Sequence, residues 1–270
     1  MADPTSIHYS RDVGWSGALI VELCRNDPST VLVTFNYDGR PEIGVYRTQL
    51  SEETFRRTLD EVRRSGYASL APPGPFEPEA KFIVIGERLQ GDAVPKICAF
   101  DLRALPSALA ALGTSFEQAA AEVRQHRSRV VWGTAEWSKP VFDTVEPLSV
   151  RVTLTNAGVL PLTLANPLSP TREGGLQLVV RDAVGSTRTV EIDAAQLRPR
   201  PYADQGDLIT LSPGDKLAFS LKKKVYLPPG DYAGRLAYRN LVDVVDNPQF
   251  VDGELWLELG AVSVQHRALS

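Results

Sequence analysis

The densest run of side chains able to do chemistry is DVVDNPQFVDGE, which gathers Asp243, Asp246, Asp252 and Glu254 within one stretch between two apolar runs. Hard carboxylate oxygens in a loop could hold Ca²⁺. The spacing follows no EF-hand order, so a solvated hairpin loop is the plainer reading and no metal or cofactor is expected. The other groups that could react are scattered. His8, His126 and His266 stand at the start, middle and end of the chain, and Cys24 and Cys98 are far apart. No G-x-S-x-G elbow is present, GWSGA at Gly14–Ala18 being a Gly-rich turn that lacks the spacing. C-x₂-C, H-x₃-H, H-E-x-x-H and the glycine-rich phosphate loops are missing as well. A carboxylate pair of the glycosidase kind can be far apart in sequence, so a carboxylate-dependent hydrolase on the first half stays open as an alternative.

A second kind of candidate is a contact surface. In GELWLELG, Leu255, Leu257 and Leu259 share one face of a strand, which puts Trp256 on the other face with Glu254 and Glu258. An outward Trp flanked by acids is the composition of an interface anchor. The competing reading is that Trp256 is covered by the first domain or the linker, with Trp132 or Trp137 as the cover. These residues, with Asp243, Asp246 and Asp252, form the expected partner-binding set. The run Lys222–Lys224 breaks the inward parity of its strand and reads as protection of a sheet edge.

The elements that must position these groups are legible from pattern. IHYSRD, ALIVELCRND, TVLVTFNYDGRPEIGVYRTQL and KFIVIGERLQGDAVPKICAFDL read as strands, with Asp38-Gly39 as a hairpin signal. LSEETFRRTLDEVRRSGY predicts a helix. Ser51 is its cap, Glu52 and Glu53 lie at its positive end, Phe55, Leu59 and Val62 share one face, and Gly66 follows its end. A second helical region starts near Pro106 and restarts at Thr114, where TSFE matches a capping box. RVVWGTAEW is a last strand. The first half is therefore expected to be an α+β domain over residues 1–137, an antiparallel sheet with two helices. SKPVFDTVEP, residues 138–147, reads as a linker. Beyond it, LSVRVTLTN alternates without a break, and GLQLVVRDAVG, STRTVEI, KLAFSLK, YAGRLAYR and ELWLELGAVSVQ repeat the theme. Pro-Gly-Asp at Pro213–Asp215 and again at Pro229–Asp231 predicts two turns of one type, Pro presetting φ and Gly accepting a positive one.

LPPGDY places Tyr232 just past the second turn. This resembles the corner of immunoglobulin-like and fibronectin-type domains, where a Tyr hydroxyl anchors the preceding turn. The resemblance covers residues 143–270 and implies an all-β immunoglobulin-like sandwich over residues 148–270. It lacks an inter-sheet cysteine pair and carries no activity with it. In overall style the chain is also similar to bacterial toxin-immunity proteins: a small sheet with the 50–70 helix, no cofactor motif and mild acidity. No functional residue transfers from that likeness.

Charge narrows the partners. The net charge of −4 divides evenly, 16 Lys/Arg against 18 Asp/Glu in residues 1–140 and 13 against 15 in the remainder. Neither half offers a basic field for nucleic acid. No stretch has the roughly 20 apolar residues of a membrane span. The opening MADPTSIHYSRD has no leader pattern, so the chain as written is expected in the cytoplasm, or in the periplasm had a signal peptide been removed. The expected function is non-enzymatic: a bacterial protein-binding protein, an immunity protein that neutralises a basic toxin domain. An envelope adhesion or scaffolding module is the alternative, which a Cys24–Cys98 bridge would favour.

Overall fold

A computed structural model describes residues 4–12, 18–35, 41–70, 82–89, 96–167, 169, 175–192, 196–198, 206–240 and 249–266. The chain divides into two compact units, Met1–Asp38 with Gly44–Ser128, and Gly39–Ile43 with Arg129–Ser270.

In the first unit, six strands pair antiparallel in the order β4-β3-β2-β1-β5-β6. They are β1 (Ser6–Asp12), β2 (Ala18–Cys24), β3 (Ser29–Phe35), β4 (Glu42–Gln49), β5 (Phe82–Arg88) and β6 (Lys96–Asp101). Helix α1 (Glu52–Arg64) follows its expected punctuation. The Ser51 hydroxyl accepts the Thr54 N–H at 3.1 Å, and Phe55, Leu59 and Val62 are its buried residues. Gly66 then takes φ 69, a left-handed position that Gly occupies without a Cβ penalty. Helix α2 (Ser107–Val123) is seated on β1, where Tyr9 stacks on Phe116 with ring centroids 4.7 Å apart. Gly113 allows that approach, because a Cβ there would stand 3.2 Å from the Tyr9 hydroxyl.

The expected restart of this helix at Thr114 is corrected. α2 is continuous, opened by the Pro106 carbonyl, and the Thr114 hydroxyl donates back to the Ala110 carbonyl at 3.1 Å. A Thr that bonds the preceding turn can sit inside a helix instead of starting one.

The second unit has one run of strands in the order β13-β15-β9-β7 and a five-stranded sheet in the order β12-β11-β16-β17-β8. The first comprises β7 (Arg127–Trp137), β9 (Leu148–Asn156), β13 (Leu197–Arg198) and β15 (Lys216–Lys223). The second comprises β8 (Val141–Asp143), β11 (Leu176–Asp182), β12 (Thr187–Glu191), β16 (Gly230–Asn240) and β17 (Gly253–Gln265). Short strands β10 (Leu162–Ala165) and β14 (Leu208–Leu211) pair with each other. Val150, Val152 and Leu154 of β9, Leu217, Phe219 and Leu221 of β15, and Leu236, Leu255 and Leu257 of β16 and β17 enter one apolar core. Each such side chain removed from water contributes about 1.5–3 kcal/mol before entropy is charged against it.

The two Pro-Gly-Asp runs do not build the same turn. At the first, the Asp215 N–H donates to the Ser212 carbonyl at 3.0 Å and Gly214 has φ 83, the geometry of a type II turn. At the second, Gly230 has φ 157 and opens β16 directly. That corner is held by the Tyr232 hydroxyl, which donates to the Pro228 carbonyl at 2.8 Å.

The expected fold class, an α+β domain followed by an immunoglobulin-like sandwich, is also corrected. The described residues are mostly strand, with two α-helices among them, and the two units are not sequential. The strand given to residues 1–137 as the end of the first domain, β7, pairs through Val131–Trp137 with Val150–Asn156 of β9 in the second unit. The expected linker 138–147 contains β8, which pairs parallel with Ser263–Gln265 of β17. A strand's allegiance is decided by its non-local partner, which local pattern does not reveal.

Candidate functional site

Alternation along β16 and β17 builds one outward face. Leu236 and Tyr238 turn into the core opposite Leu257 and Leu255, so Arg235, Ala237 and Arg239 must turn outward opposite Glu258, Trp256 and Glu254. A bulge between Gly234 and Arg235 sets this register and brings Arg235 opposite Glu258 rather than Leu259. Ala237, the partner of Trp256 across the ladder, is fully buried although it points outward.

Trp256 is partly exposed and carries a cation on its ring, with the Arg235 guanidinium 5.1 Å from the centroid. The same Arg235 pairs with Glu258 at 2.7 Å, and Arg239 faces Glu254 at 3.5 Å. Burial pushes the Glu254 carboxyl above its ordinary value, opposed by Arg239; burial likewise raises Asp252, opposed by the Gly253 N–H. The expected partner-binding residues therefore divide. Trp256, Glu254 and Glu258 share the face, Asp252 lies just before it, and Asp243 and Asp246 fall outside the described residues.

Sequence reasoning missed Arg235 and Arg239. Their signal was present in YAGRLAYR as two Arg at a spacing of four, which puts both on one strand face, but pairing with the acids appears only once β16 and β17 are in register. Trp137, one of the two indoles named as an alternative cover for Trp256, does not supply it. That indole turns into the core, donates Nε1–H to the Gly260 carbonyl at 3.2 Å and meets Phe142 edge-on.

Elsewhere, Cys24 and Cys98 are both free thiols. They lie on β2 and β6, with β1 and β5 between them, three strand spacings or roughly 14 Å apart and beyond disulfide reach. The bridge that would favour an envelope module is not formed. Burial lowers His8, against the pull of Glu22. Among the described residues no group of three or more His, Cys, Asp or Glu gathers as a metal site. Among those same residues no helix is long and apolar enough to cross a membrane.

No family model matches the chain, and no curated protein matches it. Partial likenesses exist among solved structures. The Pseudomonas fluorescens alkylpurine DNA glycosylase AlkC, bound to DNA containing an abasic site analog, is 13% identical over 57% of this chain and 36% of its own, with TM-score 0.26. AvmM, which catalyses macrocyclization in alchivemycin A biosynthesis, is 10% identical over 52% of this chain and 91% of its own, with TM-score 0.25. The Salmonella SafD adhesin is 11% identical over 49% of this chain and 98% of its own, with TM-score 0.28. The chain thus spans about a third of the glycosylase it matches, and at these scores none of the three carries an argument about fold or activity.

Proposed function

We propose that the protein acts by binding another protein through the outer face of β16 and β17, with Trp256 as the anchor. The observation that carries this reading is the Arg235–Trp256 pair on a sheet whose opposite side is core: a preorganised aromatic–guanidinium contact, the two side-chain types most enriched at binding hot spots. The acids of the face are matched by its arginines, so the mild acidity of the whole chain is cancelled here. Association through this face should therefore depend only weakly on salt, and shape and the indole should set its affinity. Neutralisation of a toxin is the form of this function that we retain, by occlusion of the toxin's cleft.

The test compares the native chain with Trp256→Ala as baits in cells of its source. A partner held by the native chain and lost by the variant, at unchanged melting temperature, supports the proposal; a hot-spot Trp costs about 2 kcal/mol or more, roughly thirtyfold in affinity. Equal capture by both baits refutes the face. For the toxin form, the captured partner expressed alone should arrest growth, the native chain should restore it, and Trp256→Ala should not. A partner that leaves growth untouched removes that form.

A further inference from the structure

We propose that the groove between α1 and α2 in the first unit binds a small zwitterion, an α-amino acid or a molecule of dipeptide size. The groove is open to solvent and offers about 570 Å³, room for a small molecule. It exists because the two helices turn their apolar stripes, Phe55, Leu59 and Val62 on α1 and Leu112, Phe116 and Val123 on α2, into burial. The sides left over the groove are polar, and its floor includes Leu23, Leu50 and Phe116.

Charge decides the ligand class. Arg57 and Glu61 of α1, Glu122 of α2 and His126 just beyond it line the groove, and among the described residues Arg57, Glu61 and Glu122 make no side-chain hydrogen bond or ion pair. Arg57 and Glu61 are four apart on one helix, the spacing at which Glu52 and Arg56 do pair, at 2.9 Å. A simple anion brought to Arg57 would meet two carboxylates, and a simple cation brought to the carboxylates would meet an uncompensated guanidinium. A molecule carrying both charges satisfies both sides. Its carboxylate matches the planar fork of Arg57, its ammonium is accepted by Glu61 or Glu122, and its side chain rests on the apolar floor. Thr54, Thr58 and Gln118 supply neutral partners for the remaining polar atoms. This site lies in the other unit from Trp256 and does not depend on the protein-binding reading.

The experiment is calorimetric titration of the full chain with the free L-amino acids and with L-alanyl-L-phenylalanine. Phenethylamine and 3-phenylpropionate serve as analogues that each lack one charge. We expect at least one zwitterion to bind at about millimolar Kd or tighter. Both single-charge analogues should bind at least about tenfold more weakly, a difference of about 1.4 kcal/mol. Arg57→Gln should weaken the zwitterion by a similar factor, while Arg56→Gln, outside the groove, should leave it unchanged at equal melting temperature. No heat from any zwitterion up to roughly 10 mM overturns the proposal. So does equal binding of 3-phenylpropionate, or full affinity in a folded Arg57→Gln variant.

Discussion

Gly234→Ala is the sharpest test of how the β16–β17 face is held. A methyl at Gly234 would overlap Cζ2 of Trp137 and stand 3.0 Å from its Cε2 and 3.1 Å from its Cη2. The indole has little freedom to retreat, since Nε1–H is bonded to Gly260 and the ring is set edge-on to Phe142, centroids 6.1 Å apart. Overpacking of this kind costs about 1–3 kcal/mol. If the indole swings away, the lost hydrogen bond adds about 1 kcal/mol. The expected loss is therefore roughly 2–4 kcal/mol. At about 2–4 °C per kcal/mol, the melting temperature should fall by roughly 4–16 °C. Urea unfolding followed by far-UV circular dichroism measures it, a signal that the second variant does not disturb. In a Trp137→Leu background the same substitution should cost at least about 1 kcal/mol less, because the obstructing ring is gone. A Gly234→Ala variant within about 0.5 kcal/mol of the native chain, or an equal cost in both backgrounds, would refute the account of Trp137 as the occupant of the space beside Gly234.

Three further outcomes follow from the same geometry. Tyr232→Phe keeps the ring and loses the bond to Pro228, so it should cost about 0.5–1.5 kcal/mol in urea unfolding; a neutral result would mean the corner holds without the hydroxyl. Ser51→Ala removes the cap of α1 and should cost about 0.5–2 kcal/mol, whereas Ser51→Asp should recover most of it. Glu254 has a raised folded-state pKa, so folding favours its protonated form; that contribution is complete below the unfolded value and is lost as pH rises through the folded one. Glu254→Gln should accordingly match or exceed the native stability at neutral pH, by no more than about 1 kcal/mol, with the advantage vanishing in acid. A variant that is weaker at neutral pH than in acid would show that Arg239 outweighs burial.

Local signals in the sequence carried far where the cause was local. Ser51, Phe55, Leu59, Val62 and Gly66 mark α1 because capping, apolar spacing and the left-handed stop all act within a few turns. The alternation of Leu148, Val150, Val152 and Leu154 marks β9 for the same reason. What escaped depends on partners distant in the chain. β7 reads as the last strand of the first half until it is seen beside β9, and the three residues of β8 are too few to show any period. Trp256 was legible as outward because Leu255 and Leu257 flank it, but its cation was not, since Arg235 comes opposite only through a bulge. The groove is further from reach, as Arg57 and Glu122 are over sixty residues apart and each reads alone as an ordinary helix surface.

The place of β17 bears on how the second unit comes to exist. It lies between β16, antiparallel, and β8, parallel, and Ser263 meets a strand made 122 residues earlier at Val141. During synthesis β8 must wait, unpaired, until the last of these strands emerges, and no local hairpin can stand in for it. Loop closure over that separation is slow, and the waiting edges are open to misassociation. The unit should thus be completed late, and a ribosome stalled before Gly253 should hold a chain that proteases cut more readily around Val141–Asp143 than they cut the finished protein.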